Sequence, residues 1–204
     1  MCGLLAVAIV AGIAGARSTS APDSTFRPVD YDVHIDLPDS GALINGDATL
    51  TLSRSRSADT LTLDLIKLHV QRVDVERRPS KFIRTDSTIV VPLPTNTPSK
   101  FTVRVVYDGL VTDGLIARKD SAGRWTYFGD NWPNRLRYWI PSIDRPDAKA
   151  TISWTVTAPP SEAIVANGVQ IENRILPTAE RKRVLARWRE SKPIAPVPAT
   201  SSSG

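Results

Sequence analysis

The sequence offers few residues that could bind a catalytic metal. A hydrolytic zinc centre commonly uses two histidines one helical turn apart with a glutamate between them, as in His-Glu-x-x-His. His34 and His69 are the only two histidines, they lie far apart, and no such motif occurs. His34 falls on the polar side of an alternating segment, whereas His69 lies among apolar residues. We interpret both as surface or core side chains and expect no metal site in this chain.

Acidic residues provide a second possibility, because two neighbouring carboxylates can act as general acid and base. One irregular stretch contains three aspartates and three arginines, namely Asp130, Asp144, Asp147, Arg135, Arg137 and Arg145. We predict that these aspartates form turns or pair with the arginines. The sequence has no Gly-x-Ser-x-Gly motif with a plausible histidine partner and no glycine-rich phosphate loop, so it indicates no nucleophile system.

The basic charge does not indicate a nucleic-acid partner. The formal net charge is +5, from 26 Lys and Arg against 21 Asp and Glu. Nucleic-acid binding proteins concentrate such charge on one face or in a recognised motif. Here the arginines are spread along strand-like segments, no basic block has interleaved aromatic residues, and no helix-turn-helix or zinc-finger spacing occurs. We interpret the charge as solvated surface.

Strands are the elements that must position these side chains. Apolar and polar residues alternate with a period of two over short segments separated by Pro, Gly and Asp, which is typical of half-buried strands. The alternating or apolar segments are 31–37, 43–52, 61–65, 70–75, 89–93, 101–107 and 149–158. The 16 prolines argue against long helices. The sequence therefore predicts an all-β fold, either a sandwich or a curved antiparallel sheet.

Three local features predict details of individual strands. Asn45-Gly46 indicates a bulge or turn inside the second strand. Pro92 indicates that its strand lies at a sheet edge, because proline cannot donate a hydrogen bond. The segment Glu180–Glu190 can be read as a charged helix or as a last strand with Val184, Ala186 and Trp188 on one face.

Four tryptophans lie around the irregular stretch and allow three interpretations. They are Trp125, Trp132, Trp139 and Trp154. Exposed tryptophans can stack on sugars or contact another domain, but a group around one loop more often forms its packing core. We favour the packing core for this group.

The central motifs carry a family resemblance. They are 130–135 (DNWPNR), 137–142 (RYWIPS) and 144–146 (DRP), followed by Lys149-Ala150. The chain resembles the N-terminal domain of aminopeptidase N-type zinc metallopeptidases in this order of motifs, from about Arg27 to Ile194. The resemblance implies a large, saddle-like β-structure and favours a strand at the end of the domain.

The resemblance also implies partners and a candidate binding site. In many family members a glutamine ahead of the Arg-x-x-x-Pro element helps to bind the amino terminus of the substrate. Counting back from Arg137 and Pro141 places Asp130 at that position, with Asn131 beside it. The resemblance thus implies a peptide amino terminus as ligand, and as partner a catalytic domain that carries the zinc. This chain itself is expected to hold no cofactor.

Elements of the family's catalytic domain are absent from the sequence. The family's Gly-x-Met-Glu-Asn element requires a methionine, and the only one here is Met1. A low-complexity tail, 195–204, stands where another strand should follow. We therefore expect a truncated or frameshifted reading frame, and an isolated chain without catalytic activity.

The amino terminus indicates export. Residues 1–16 contain an apolar run ending in Ala14-Gly15-Ala16, which is typical of a signal peptide with its cleavage site, and 17–26 reads as a linker. The run is too short for a membrane span. Cys2, the single cysteine, precedes the presumed cleavage site, so we expect a periplasmic or secreted protein without disulfides.

Two other functions stay open from the residues. The chain could be a stand-alone exported β-sandwich that binds a protein or glycan surface. It could also be a regulator that docks onto a related enzyme's catalytic domain. A severed domain should expose an apolar patch and self-associate, whereas a stand-alone module should stay monomeric.

Overall fold

The computed structural model describes residues 25–160, 163–177 and 182–195. The predicted signal peptide, nearly all of the predicted linker and all but the first residue of the predicted tail lie outside these residues. Thirteen strands are described: β1 Phe26–Asp36, β2 Leu43–Arg54, β3 Thr60–Asp64, β4 His69–Val75, β5 Arg78–Pro79, β6 Ile83–Arg84, β7 Thr88–Pro92, β8 Lys100–Leu110, β9 Leu115–Lys119, β10 Trp125–Gly129, β11 Ala150–Ala158, β12 Val169–Pro177 and β13 Lys182–Ile194. One 3-10 turn, Leu136–Tyr138, is the only helical element in this part of the chain.

Eight strands form one large sheet in the order β12-β13-β11-β1-β2-β8-β4-β5. Its pairs are antiparallel except for β1 and β11, which run parallel with Val33 opposite Trp154. The prediction of an all-β, antiparallel-rich fold is confirmed, and this parallel pair is the exception within it.

The core lies on one face of the large sheet because its strands alternate in polarity. On β2, Ile44, Ala48, Leu50 and Leu52 are fully buried and Gly46 is buried, while the residues that alternate with them are more exposed. A three-stranded sheet, β3-β7-β6, contributes its buried leucine, isoleucine and valine side chains to the same core. β9 and β10 form a separate hairpin whose Leu115 and Tyr127 also enter that core.

The prediction of a bulge or turn at Asn45-Gly46 is wrong. β2 continues through both residues, and its register with β8 is unbroken, with Gly46 opposite Tyr107. The glycine instead makes room for an aromatic ring. A Cβ on Gly46 would lie 2.2 Å from Cζ of Tyr107, so the absence of a side chain lets the ring pack against the strand.

The prediction that Pro92 marks an edge strand is also wrong. β7 is the central strand of its sheet, between β3 and β6. β6 pairs only with Ile89 and Val90, so Pro92 lies beyond its end and opposite Thr60 of β3. Because β6 is so short, no strand pairs with Pro92 on that side of β7. Proline has no backbone N–H to donate, so it fits a position where no partner strand needs one.

The last segment of the domain is a strand, as the family resemblance implies, and not a charged helix. β13 begins at Lys182 and pairs with both β11 and β12. Val184, Ala186 and Trp188 pack against the core, which confirms the predicted face.

Candidate functional site

The candidate site is the loop of residues 130–149 between β10 and β11. Backbone hydrogen bonds hold the first residues of this loop in place. The amide of Asp130 donates to the Gly114 carbonyl (2.6 Å), and the Arg135 amide donates to the Asn131 carbonyl (2.8 Å). Gly114 has a φ of +77°, and a Cβ there would lie 2.2 Å from the Arg135 carbonyl oxygen. Only glycine fits this position, because both its conformation and its closeness to the loop exclude a side chain.

Asp130 lies at the surface end of this loop and pairs with a neighbouring arginine. Its Oδ2 accepts a hydrogen bond from Arg135 Nη1 at 2.6 Å, and the carboxylate side chain is 34% exposed. Arg135 also approaches Asp113, with 3.7 Å between Nε and Oδ2. Two carboxylates therefore share one guanidinium group, and this cluster carries an excess of one negative charge.

Asn131 has a different environment, because its side chain is fully buried. Its Oδ1 accepts a hydrogen bond from Trp139 Nε1 at 2.8 Å, while its Nδ2 has no hydrogen-bond partner in the described part of the chain. Trp139 in turn stacks on Trp154 of β11, with ring centroids 5.7 Å apart and planes 13° apart. Asn131 thus connects the loop to the rigid core of the large sheet.

The middle of the loop contains an ion pair between the half-buried Arg137 and the buried Asp144. Asp144 Oδ2 accepts from the backbone amide (3.1 Å) and from Nε (3.0 Å) of Arg137, whose Nη2 also donates to the Asp144 carbonyl (2.8 Å). Burial, the larger effect, raises the pKa of the Asp144 carboxyl, whereas the hydrogen bonds from Arg137 oppose that rise. The pair organises the turn, and its carboxylate is shielded from solvent.

Contacts to distant strands hold the end of the loop. Asp64 of β3 and Ser142 exchange backbone hydrogen bonds of 2.8 and 3.0 Å, and Asp64 Oδ2 accepts from the Asp144 amide (3.1 Å). The Ile143 amide donates to the hydroxyl of Tyr31 on β1 at 3.2 Å. Burial raises the pKa of that hydroxyl. The loop is therefore attached to the core at both ends, as a preorganised binding loop must be.

The sequence predicts that the three aspartates of this loop form turns or pair with its arginines, and in the structure each aspartate has an arginine partner. Besides Asp130–Arg135 and Asp144–Arg137, Asp147 Oδ1 lies 3.3 Å from Arg145 Nε. No sequence pattern assigns Asp64, Tyr31 or Gly114 to the site. Asp113-Gly114 has the composition of a tight turn and could have drawn attention to the glycine. Asp64 and Tyr31 follow the ordinary alternation of their strands, so no local signal distinguishes them.

The tryptophans divide into two groups. Trp139 and Trp154 are buried in the core, and Trp125 is half-buried against it with Lys119 Nζ 5.7 Å from its ring centroid. Trp132, next to a cis peptide bond to Pro133, is 68% exposed. The core prediction therefore does not hold for Trp132, because the loop turns this ring outward while Asn131 points inward.

The residues that the structure describes do not fit a zinc centre. His34 and His69 are both exposed, and His69 Nδ1 is 3.0 Å from Asp108 Oδ1 in an ordinary surface pair. Across residues 25–160, 163–177 and 182–195, no group of three His, Cys, Asp or Glu side chains is placed to hold a metal ion. Within the same residues no helix is long and apolar enough to cross a membrane.

Solved structures with the same fold include an M1 zinc metallopeptidase, a hydrolase and an aminopeptidase. An M1 zinc metallopeptidase from Deinococcus radiodurans is 23% identical with a TM-score of 0.71, and the match covers 84% of this chain and 40% of that one. Yeast LTA4 hydrolase is 20% identical with a TM-score of 0.72, and the match covers 87% of this chain and 29% of that one. Legionella pneumophila aminopeptidase A is 19% identical with a TM-score of 0.72, and the match covers 86% of this chain and 21% of that one. This chain therefore spans 40% or less of the length of these relatives.

The family assignment comes from the sequence match and agrees with this fold. No match was found among curated proteins. The family described as the peptidase M1 N-terminal domain matches residues 27–195, which is most of the chain and nearly the same range as the resemblance in its motifs. The chain therefore belongs to the peptidase M1 N-terminal domain family.

Proposed function

We propose that this chain serves as the N-terminal, substrate-anchoring and structural domain of an exported zinc aminopeptidase-like protein. In this proposal the catalytic zinc belongs to a separate catalytic domain, against which the loop of residues 130–149 forms one wall of the substrate cleft. The observation that carries the proposal is the position of Asp130, a partly exposed carboxylate on a loop fixed to the core at both ends.

The charge around Asp130 suits an ammonium ligand. Arg135 is shared between Asp113 and Asp130, so the cluster keeps an excess negative charge at the surface. The α-amino group of a peptide is a cation, and a charge-assisted hydrogen bond to a carboxylate is stronger than one between neutral groups. Asp130 is the proposed contact for this group.

Asn131 has a positioning role in this proposal. Its buried side chain lies beneath the loop and holds Trp139, so it would act on the ligand only through the position of Asp130. The exposed ring of Trp132, on the opposite side of the chain from Asn131, is the apolar contact that we propose for the catalytic domain.

An enzyme assay on the complete gene product tests the proposal. We expect zinc-dependent hydrolysis of peptides with a free amino terminus, lost on treatment with a chelator. Asp130→Ala should raise KM for these peptides roughly tenfold or more, since a charge-assisted contact is removed, and should change kcat less. Asp113→Ala is the comparison variant, because it removes the same excess negative charge but not the proposed direct contact, and it should therefore raise KM less than Asp130→Ala does.

The outcomes separate the two parts of the proposal. If the gene product has no chelator-sensitive aminopeptidase activity, the enzymatic assignment is wrong. If activity is present and both aspartate variants behave alike, the anchoring role of Asp130 is wrong while the structural role stands. For the export part, mass spectrometry of protein from the periplasm or medium should find a chain that begins at Arg17.

A glycan-binding module is the second candidate, and the exposure of Trp132 favours it. An exposed indole can stack on a sugar ring. A glycan array on the purified chain would detect such binding, and Trp132→Ala should abolish it. Sugar binding that survives this substitution would contradict the role of Trp132.

A further inference from the structure

Two Asn-Gly pairs occur in the chain, and the fold places them in opposite environments. Six asparagines are present, and only Asn45 and Asn167 precede a glycine. This pairing matters chemically, because the backbone nitrogen of the following residue can attack the side-chain carbonyl of an asparagine. Glycine hinders that attack least, since it has no Cβ and the widest range of backbone conformations. Which of the two pairs reacts is therefore decided by their structural environments.

Asn45-Gly46 is held in a conformation that prevents the attack. Both residues lie in β2, which pairs with β1 on one side and with β8 on the other, and neither register is broken at this point. In a strand with two neighbours, each backbone N–H donates to one of them. The Gly46 nitrogen is therefore occupied, and a reaction at Asn45 requires local unfolding of the sheet.

Asn167-Gly168 lies instead in the bend that precedes β12. That strand begins only at Val169, and Gly168 is exposed with a φ of +92°. The Gly168 amide donates no backbone hydrogen bond within the described residues. The buried Oδ1 of Asn167 likewise has no hydrogen-bond partner among them. Neither group is thus held by a hydrogen bond that would have to break when the side chain turns toward the Gly168 nitrogen.

We propose that Asn167 is a site of spontaneous deamidation in the folded chain, with water as the only co-reactant. The Gly168 nitrogen loses its proton and forms a bond to Cγ of Asn167, while the bond from Cγ to Nδ2 breaks. The side-chain amino group leaves with that proton as ammonia, and a succinimide ring remains. Water then adds to one of the two ring carbonyls and opens the ring, which gives either aspartate or isoaspartate.

The isoaspartate product would alter the start of β12. It adds one methylene group to the backbone between residues 167 and 168, where the chain is already closely packed. A Cβ on Gly168 would lie 2.0 Å from the carbonyl oxygen of Arg189, the residue that pairs with Val169. The longer backbone and the new carboxylate should therefore weaken the pairing of the first residues of β12 with β13.

Peptide mapping by mass spectrometry tests the proposal. The full chain is incubated in mildly alkaline buffer with and without urea, and the deamidated fraction at each asparagine is followed over time. In the folded chain Asn167 should react roughly tenfold faster than Asn45 or more, because reaction at Asn45 first requires local unfolding. Side-chain exposure alone predicts the reverse order, since Asn45 is exposed and Asn167 is half-buried. In urea the two rates should become similar, because neither pair is then constrained by the fold.

Asn167→Gln is the matched variant, because glutamine keeps the amide but closes the larger ring far more slowly. It should lose the reaction at this position and retain its strand content by circular dichroism. Hydrogen exchange of the β12 amides should become faster in the aged wild type and stay unchanged in the aged variant. Equal rates at Asn45 and Asn167 in the folded chain, or a rate at Asn167 that urea raises as much as the rate at Asn45, would overturn the proposal.

Discussion

At the scale of single residues, the buried carboxyl of Asp144 makes a pH-dependent contribution to stability. Burial raises its pKa above the ordinary value of 3.8. The folded chain therefore binds this proton more readily than the unfolded chain does. Between the ordinary pKa and the raised one, stability from this group falls as pH rises.

Asp144→Asn should remove that pH dependence. We expect the free energy of unfolding of the wild type, taken relative to Asp144→Asn, to be highest at acid pH and to decline as pH rises through the folded pKa of Asp144. Urea unfolding of both proteins at a series of acidic to neutral pH values gives this difference. A difference that increases with pH would mean that the hydrogen bonds from Arg137 outweigh the cost of burial.

The hydrogen bond between Trp139 and Asn131 makes a second residue-scale prediction. Trp139→Phe leaves the buried Oδ1 of Asn131 without its donor and leaves unfilled space against Trp154. We expect a loss of roughly 2 kcal/mol or more in the free energy of unfolding.

The same substitution at Trp132 is its control. Because the Trp132 ring is largely exposed, Trp132→Phe should change stability by less than about 0.5 kcal/mol. Chemical unfolding of both variants provides the comparison. Equal losses from the two variants would show that the buried contact of Trp139 has no special role.

The sequence indicates ion pairs at the candidate site, but it does not indicate which side chains of the loop are buried. Arginines near aspartates in one loop predict either turns or ion pairs, and the structure has the ion pairs. The contrast between buried Asn131 and exposed Trp132 could not be predicted, since adjacent residues of an irregular loop follow no fixed period. It depends on Trp139, further along the same loop, and on its stacking against Trp154 of β11.

At the scale of elements, Gly114 connects the turn before β9 to the candidate loop. Gly114→Ala would place a Cβ 2.2 Å from the Arg135 carbonyl oxygen in a conformation that alanine rarely adopts. We expect it to lower the free energy of unfolding by roughly 2–5 kcal/mol, as backbone strain and overpacking add.

Gly123→Ala measures the backbone strain alone. The difference between the losses from Gly114→Ala and Gly123→Ala therefore gives the packing contribution. Gly123 has a similar φ of +80°, but no atom lies within 4 Å of the position that a Cβ would take there. This substitution should therefore cost only the backbone strain, roughly 1–2 kcal/mol. Thermal or urea unfolding compares the variants, and equal losses would contradict a close contact between Gly114 and the loop.

Strand positions could be predicted from sequence because burial on one sheet face imposes a period of two. The errors at Asn45-Gly46 and Pro92 have one physical origin. Gly46 is explained by the Tyr107 ring on the neighbouring strand, and Pro92 by the short reach of β6. Both explanations depend on partners that are distant in sequence. The parallel pairing of β1 with β11 likewise gives no local signal.

At the scale of the whole molecule, the order of motifs from Arg27 to Ile194 is enough to predict the family and the fold. The match over residues 27–195 confirms both. The functional proposal goes further, because it assigns the zinc chemistry to a partner domain and only substrate anchoring to this chain. The zinc-binding residues that this proposal requires would lie in the catalytic domain, outside the residues of this chain.

The most direct test is to sequence the gene beyond the codon for Gly204 and translate all three frames. The proposal predicts a Gly-x-Met-Glu-Asn element and a His-Glu-x-x-His motif within the next few hundred codons, since the family's zinc ligands and general base require that helical spacing. If neither motif occurs in any frame, the gene does not encode an aminopeptidase, and this domain functions as a binding module without a catalytic partner in the same gene.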